Sequence, residues 1–103
     1  MVLEVAVLDV KPELVAGFEA AFREASRYIA ATLGYVAHEL QRCIEDGNRY
    51  LLLVQWETLE AHTEGFRGSD RYEEWRRLLH HFYDAFPTVQ HYGRVFENPA
   101  PTS

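Results

Sequence analysis

At 103 residues the chain has the length of one domain, and with 48% apolar residues it can bury a core without disulfide or metal staples. A formal net charge of −6 and the lack of a Lys/Arg cluster exclude a phosphate-tracking surface and disfavour an anionic membrane, so neither nucleic acid nor membrane is expected as a partner. The single cysteine, Cys43, excludes an intrachain disulfide, and the acidic Glu4 and Asp9 in the first apolar run exclude a signal-peptide reading, so a cytoplasmic protein is expected.

Val2 to Val10 is apolar and β-branched, the length of one strand. Lys11-Pro12-Glu13 opens a helix, since Pro12 suits a first helical position where an N–H has no partner. Leu14, Phe18, Phe22, Ala25 and Ile29 form its apolar stripe, and Gly34 ends it. Tyr35 to Glu45 reads as a second strand, Asp46-Gly47-Asn48 as a hairpin turn, and Arg49 to Glu57 as a third strand. Thr58 is a candidate N-cap for a short helix reaching about Phe66, and Ser69 caps the next helix. That helix places Tyr72, Trp75, Leu79, Phe82 and Phe86 on one face and stops at Pro87. Val89 to Phe96 is the fourth strand. Residues 1–97 form the expected domain and 98–103 a frayed tail.

The order βαββαβ predicts an α+β, ferredoxin-like fold whose four-stranded antiparallel sheet runs 4-1-3-2. The first and third strands are apolar at both parities: Leu3, Val5 and Val7 against Val2, Ala6, Leu8 and Val10, and Leu51 and Leu53 against Tyr50, Leu52, Val54 and Trp56. Strands of this kind are covered on both faces. Two helices cover one face, so a second copy related by a two-fold axis is expected on the other, giving a homodimer through the open sheet face.

Chemistry is less plainly marked. The histidines are His38, His62, His80, His81 and His91, with no HExxH or CxxC spacing, and no metal is expected. No GxGxxG, GxxxxGK[ST] or G-x-S-x-G element is present, so no nucleotide cofactor and no nucleophilic serine is expected. Cys43 lies on a strand with no helix N-terminus beside it and reads as a packing or surface residue. On the second long helix, Arg76, His80 and Tyr83 make a polar i, i+4, i+7 edge beside the aromatic stripe. Such an edge is ordinarily a wet helix margin. Beside a cavity it becomes the polar wall of a pocket for a small aromatic molecule.

The run Val54-Gln55-Trp56-Glu57-Thr58-Leu59-Glu60-Ala61-His62 resembles the E-x-W-x-S-x-E-A passage of the antibiotic biosynthesis monooxygenase domain family. Phe66-x-x-Ser69-x-x-Tyr72, Gly34-Tyr35 and Pro87 followed by His91-Tyr92 also fit that family. The resemblance implies a dimeric α+β barrel and, in part of the family, oxidation of a phenol or quinol by O2 without metal or flavin. Under it, His80, Arg76, Tyr83, His62 and His91 are the candidate catalytic residues, the histidines as bases and Arg76 and Tyr83 as holders of an oxyanion. Trp56, Phe66, Tyr72 and Trp75 are the candidate substrate walls. Two other readings share these features, a non-catalytic aromatic-ligand-binding dimer and a heme-binding or heme-degrading protein. The heme-degrading pattern is not matched: strand one has no Asn, Phe66 stands at the Trp position, and Arg76 stands at the His position.

Overall fold

The computed structural model describes residues 1–101; the last two residues of the expected tail, Thr102 and Ser103, lie outside the described residues. The strands are β1 (Val2–Asp9), β2 (Tyr35–Arg42), β3 (Arg49–Trp56) and β4 (Thr88–Tyr92), and the long helices are α1 (Val15–Ala30) and α2 (Asp70–Leu79). The sheet runs β2-β3-β1-β4 with every pair antiparallel, which is the expected 4-1-3-2 order read from the other edge. β1 and β3 are central because each crossover, β1–α1–β2 and β3–α2–β4, skips one strand position, and β3 and β1 fill the two gaps.

That face is the core. Ala6, Leu8 and Val10 from β1 and its end, and Tyr50, Leu52, Val54 and Trp56 from β3, meet Phe18, Phe22, Ala25 and Ile29 of α1 and Trp75 and Leu79 of α2. The opposite face carries the other parity. Leu3 pairs with Gln55 and Tyr92, Val5 with Leu53 and Gln90, and Val7 with Leu51 and Thr88. Leu3, Val5, Val7, Leu51 and Leu53 thus make a half-buried apolar strip along the two middle strands. Among the described residues no helix is long and apolar enough to cross a membrane.

β2 ends at Arg42 rather than Glu45, β1 and β3 each end one residue early, at Asp9 and Trp56, and four other elements differ from the predicted reading. Pro12–Leu14 forms a 3-10 turn before α1 begins. The segment after Thr58 is π-helical over Ala61–Phe66, with the Thr58 hydroxyl accepting from the Ala61 N–H at 3.1 Å. α2 is capped by Ser69 as expected, but it ends at Leu79, passes into a 3-10 turn over His80–Phe82, and does not run to Phe86. The cause is the sheet: the Lys11 N–H donates to Phe82 O and the Asp84 N–H to Asp9 O, both at 2.8 Å, so the chain beyond the turn is drawn out as a continuation beside β1. β4 stops at Tyr92 rather than Phe96 because Tyr92 pairs with Leu3, almost the first residue of β1, and nothing remains to pair with beyond it. Val95 and Phe96 are exposed instead.

Gly34 is the only described residue with positive φ, at +90°, and a Cβ there would stand 2.7 Å from the Ala61 Cβ. It turns the chain from α1 into β2 while the π-helical segment presses on it. Gly34→Ala is expected to lower the unfolding free energy by about 2 kcal/mol in urea titrations. Gly93→Ala, where nothing lies within 4 Å, is expected to change it by less than about 0.5 kcal/mol.

Candidate functional site

A cavity of about 360 Å3 opens between the helical layer and the β1–β4 side of the sheet. Its floor is Glu4, Ala6 and Leu8 of β1, Leu52 of β3 and Val89 of β4, all of the inward parity. Phe66, Tyr72, Trp75, His80 and Tyr83 form the aromatic roof, and Phe86 and Pro87 stand at the rim. Ala6, the smallest of the inward residues on β1, leaves the space above the middle of the floor.

Glu4 is the chemical centre of the floor. It is 5% exposed on a strand whose neighbours are apolar, and burial raises its pKa above the ordinary carboxylate value, against the hydrogen bond from Trp56 and the charge of Arg67. Its Oε1 accepts from Trp56 Nε1 at 3.0 Å and lies 3.3 Å from His62 Nε2. His62 Nδ1 lies in turn 2.8 Å from His91 Nε2, and the His62 ring stacks on the Trp56 indole with centroids 5.3 Å apart. His62 is itself 3% exposed, and burial pushes its pKa down to about 3, with the charges of Arg67 and His91 adding. Burial and Arg67 also lower His91. His62 is therefore neutral, and its contact with Glu4 is a hydrogen bond rather than an ion pair.

This chain has two proton arrangements in which both imidazoles are neutral, and the second holds one proton more than the first. In one, Glu4 is a carboxylate accepting from His62 Nε2–H, while His62 Nδ1 accepts from His91 Nε2–H. In the other, Glu4 carries a proton donated to His62 Nε2, and His62 Nδ1–H donates to His91 Nε2. Passing from the second to the first shifts each proton one place along the chain, so that Glu4, on the cavity floor, is left deprotonated and one proton is released from the outer nitrogen of half-exposed His91. Every buried side-chain nitrogen and oxygen among the described residues has a partner, so the network is closed apart from that exchange.

On the roof, His80 is ringed by Tyr72, Tyr83 and Phe86, with centroids 6.4, 5.7 and 5.4 Å away. Burial lowers its pKa, and the Arg76 charge lowers it further. Tyr83 is buried, and burial raises its phenol pKa far above the usual value, with Tyr72 adding. Its place here follows from the early end of α2, because a continuous helix would carry it away from the bridge it makes with Val10.

Of the residues singled out from the sequence, His62, His80 and Tyr83 line the cavity, as do Phe66, Tyr72 and Trp75. His91 reaches it through His62. Trp56 is fully buried beneath His62 and does not line it. Arg76 is exposed outside it and acts on His80 only through its charge. Glu4 and Arg67 line the cavity and were missed by the sequence reading. Glu4 left a signal, as the one acid at the inward parity of an apolar strand. Arg67 left none, since nothing in Phe66-Arg67-Gly68 marks which way the guanidinium faces.

The family model for antibiotic biosynthesis monooxygenases matches residues 1–78. The chain is 55% identical over 95 residues to the uncharacterised protein YczJ of Bacillus subtilis, covering 92% of this chain and all of that one. A crystal structure from Bordetella bronchiseptica, named for the same family, superposes with a TM-score of 0.89 at 35% identity, covering 92% of this chain and 97% of the other. SnoaB of Streptomyces nogalater, a cofactor-independent oxygenase, superposes with a TM-score of 0.84 over 96% of this chain and 97% of its own, and at 19% identity it shows the shared fold alone.

The low pKa of His62 fixes a pH dependence of stability. Below 6.5 the unfolded chain takes up a proton at this residue that the folded chain refuses down to about 3, so stability falls as pH drops through that window. Measured against His62→Gln, which does not titrate, the wild type is expected to lose about 4 kcal/mol of relative stability between pH 7 and pH 3. Urea unfolding at a series of pH values checks this, and a pH-independent difference would refute a neutral His62.

Proposed function

This chain belongs to the antibiotic biosynthesis monooxygenase family, and on that premise we propose that it is a cofactor-independent monooxygenase oxidising a small aromatic phenol or quinol with O2. The observation that carries the proposal is the Glu4–His62–His91 hydrogen-bond chain, which opens at Glu4 on an aromatic-walled cavity. A phenol that loses its proton becomes an electron-rich anion able to reduce O2 itself. The protein then has to provide a base, a water-poor space and a way out for the proton.

In the proposed reaction the Glu4 carboxylate takes the phenol proton, and the phenolate carbon para to oxygen adds O2 to give a hydroperoxide. Loss of water from that hydroperoxide leaves the quinone. One oxygen atom enters the product and the other leaves as water, so phenol plus O2 balances quinone plus H2O. The raised pKa of Glu4 suits the first step, because a carboxylate whose pKa is lifted by burial is a stronger base than a solvated one. His62 and His91 carry the proton outward. Tyr83 and His80 face the reacting ring and hold the developing peroxide, while Arg76 tunes His80 by charge from outside. Phe66, Tyr72 and Trp75 clamp the ring, and Trp56 holds Glu4 and His62 in place.

The second copy belongs to the same proposal. The strip of Leu3, Val5, Val7, Leu51 and Leu53 is the surface for a two-fold homodimer that packs sheet against sheet.

With 1-naphthol and 18O2, the purified protein is expected to form 1,4-naphthoquinone carrying one labelled oxygen, with a second label in water. Product no faster than background would overturn the reading. Glu4→Gln is expected to lower kcat by about 100-fold or more with KM within about threefold, since a base lost from the reacting atoms leaves ring binding intact. Leu53→Glu is expected to convert the dimer to monomer in sedimentation velocity; an unchanged sedimentation coefficient would remove the sheet face as the interface.

A further inference from the structure

The cavity lining holds two charged side chains, and they are not paired with each other. Glu4 is committed to Trp56 and His62. Arg67 is exposed at the lip, is the only Lys or Arg in the lining, and takes part in none of the ion pairs among the described residues. Its backbone is not loose. The Arg67 N–H donates to His62 O at 3.0 Å across the π-helical segment, and a Cβ at the next residue, Gly68, would stand 2.6 Å from Glu64 O. The guanidinium therefore springs from the same packed segment that delivers His62 and Phe66 to the cavity. Its charge reaches Glu4, His62 and His91 alike.

We propose that the ligand of this cavity is an aryl carboxylate: a phenol or quinol whose ring also bears a carboxylate group, bound with the carboxylate on Arg67 and the hydroxyl toward Glu4. The proposal deepens the oxygenase reading and rests on it for the hydroxyl, while the carboxylate stands on Arg67 alone. A guanidinium presents its N–H groups in a planar fork that matches both oxygens of a carboxylate, and such paired bonds are stronger than those to a neutral acceptor. A ring without an acid group would fill the aromatic walls yet leave the guanidinium facing only water. An acid group on the ring also cannot sit against Glu4, because two carboxylates repel in a buried site, so Arg67 sets the direction in which the ligand enters.

The test is equilibrium binding under anaerobic conditions, read by quenching of tryptophan fluorescence, with Trp75 in the cavity wall as reporter. The probes are 6-hydroxy-2-naphthoate and 2-naphthol, which differ only by the carboxylate. The wild type is expected to bind the acid roughly tenfold more tightly, a difference of about 1.4 kcal/mol. Arg67→Gln is expected to abolish that preference and Arg67→Lys to keep part of it, with 2-naphthol affinity changing less than about twofold in both. Equal affinity for the two probes in the wild type, or a preference that survives Arg67→Gln, would overturn the proposal, as would binding of neither probe. Arg67 is exposed, so unchanged circular dichroism is expected for both variants. A preference for the acid without any O2-dependent turnover would leave the aryl-acid site standing and remove the oxygenase reading. Turnover of naphthols with no preference for the acid would do the reverse.

Discussion

A carboxyl group buried in the first strand constrains the whole site. Glu4 cannot stay inside an apolar layer without partners, because an unsatisfied buried acid costs several kcal/mol. Its partners come from three other places in the chain: Trp56 at the end of β3, His62 in the π-helical segment, and His91, its cross-strand neighbour on β4, through His62. One group thus ties together three strands and the segment that covers them. The burial that makes those ties necessary also keeps His62 neutral and Glu4 reluctant to ionise, so the packing of the fold and the acid–base character of the cavity have one origin.

The local backbone irregularities serve that network. A π-helical turn adds a residue relative to an α-helical turn and shifts the side chains that follow, and such turns are frequent at functional sites. Here it covers Ala61–Phe66 and is closed by the Arg67 N–H on His62 O, so it places both the buried imidazole and the exposed guanidinium of the cavity. The early end of α2 has a matching effect on the other wall. Hydrogen bonds from Lys11 and Asp84 draw the chain toward β1, and Tyr83 turns inward as a buried phenol instead of riding a helix edge. Phe86, freed from the helix, stands 81% exposed at the rim beside His80.

The sheet has two different faces, and both are apolar along the middle strands. The inner one is sealed by α1 and α2 except where Ala6 and its neighbours leave the cavity. The outer one carries Leu3, Val5, Val7, Leu51 and Leu53, with polar residues such as Gln41, Glu39 and Gln90 flanking them on the edge strands. An apolar centre with a polar rim has the anatomy of a protein–protein contact, which accords with the homodimer proposed above. The cavity lies on the other face, reached from the helical side.

Much of this was legible in residue order. Alternation in Val2–Val10 and Arg49–Trp56, the helical spacing of Phe18, Phe22, Ala25 and Ile29, and the caps at Thr58 and Ser69 are local signals, and they led to the βαββαβ order and the sheet topology. Phe66, Tyr72, Trp75, His80 and Tyr83 could be picked out as cavity residues because aromatic and titratable side chains beside an apolar stripe have few other places to go. The rest depended on contacts between residues far apart in the chain. Where α2 ends is decided by hydrogen bonds to β1, and where β4 ends by the length of the strand beside it. Glu4, His62 and His91 are separated by 58 and 29 residues along the chain in their two steps, so their partnership is set by strand register and the π-helical turn. Periodicity tells which face a residue occupies; it carries no information about which distant side chain will meet it there.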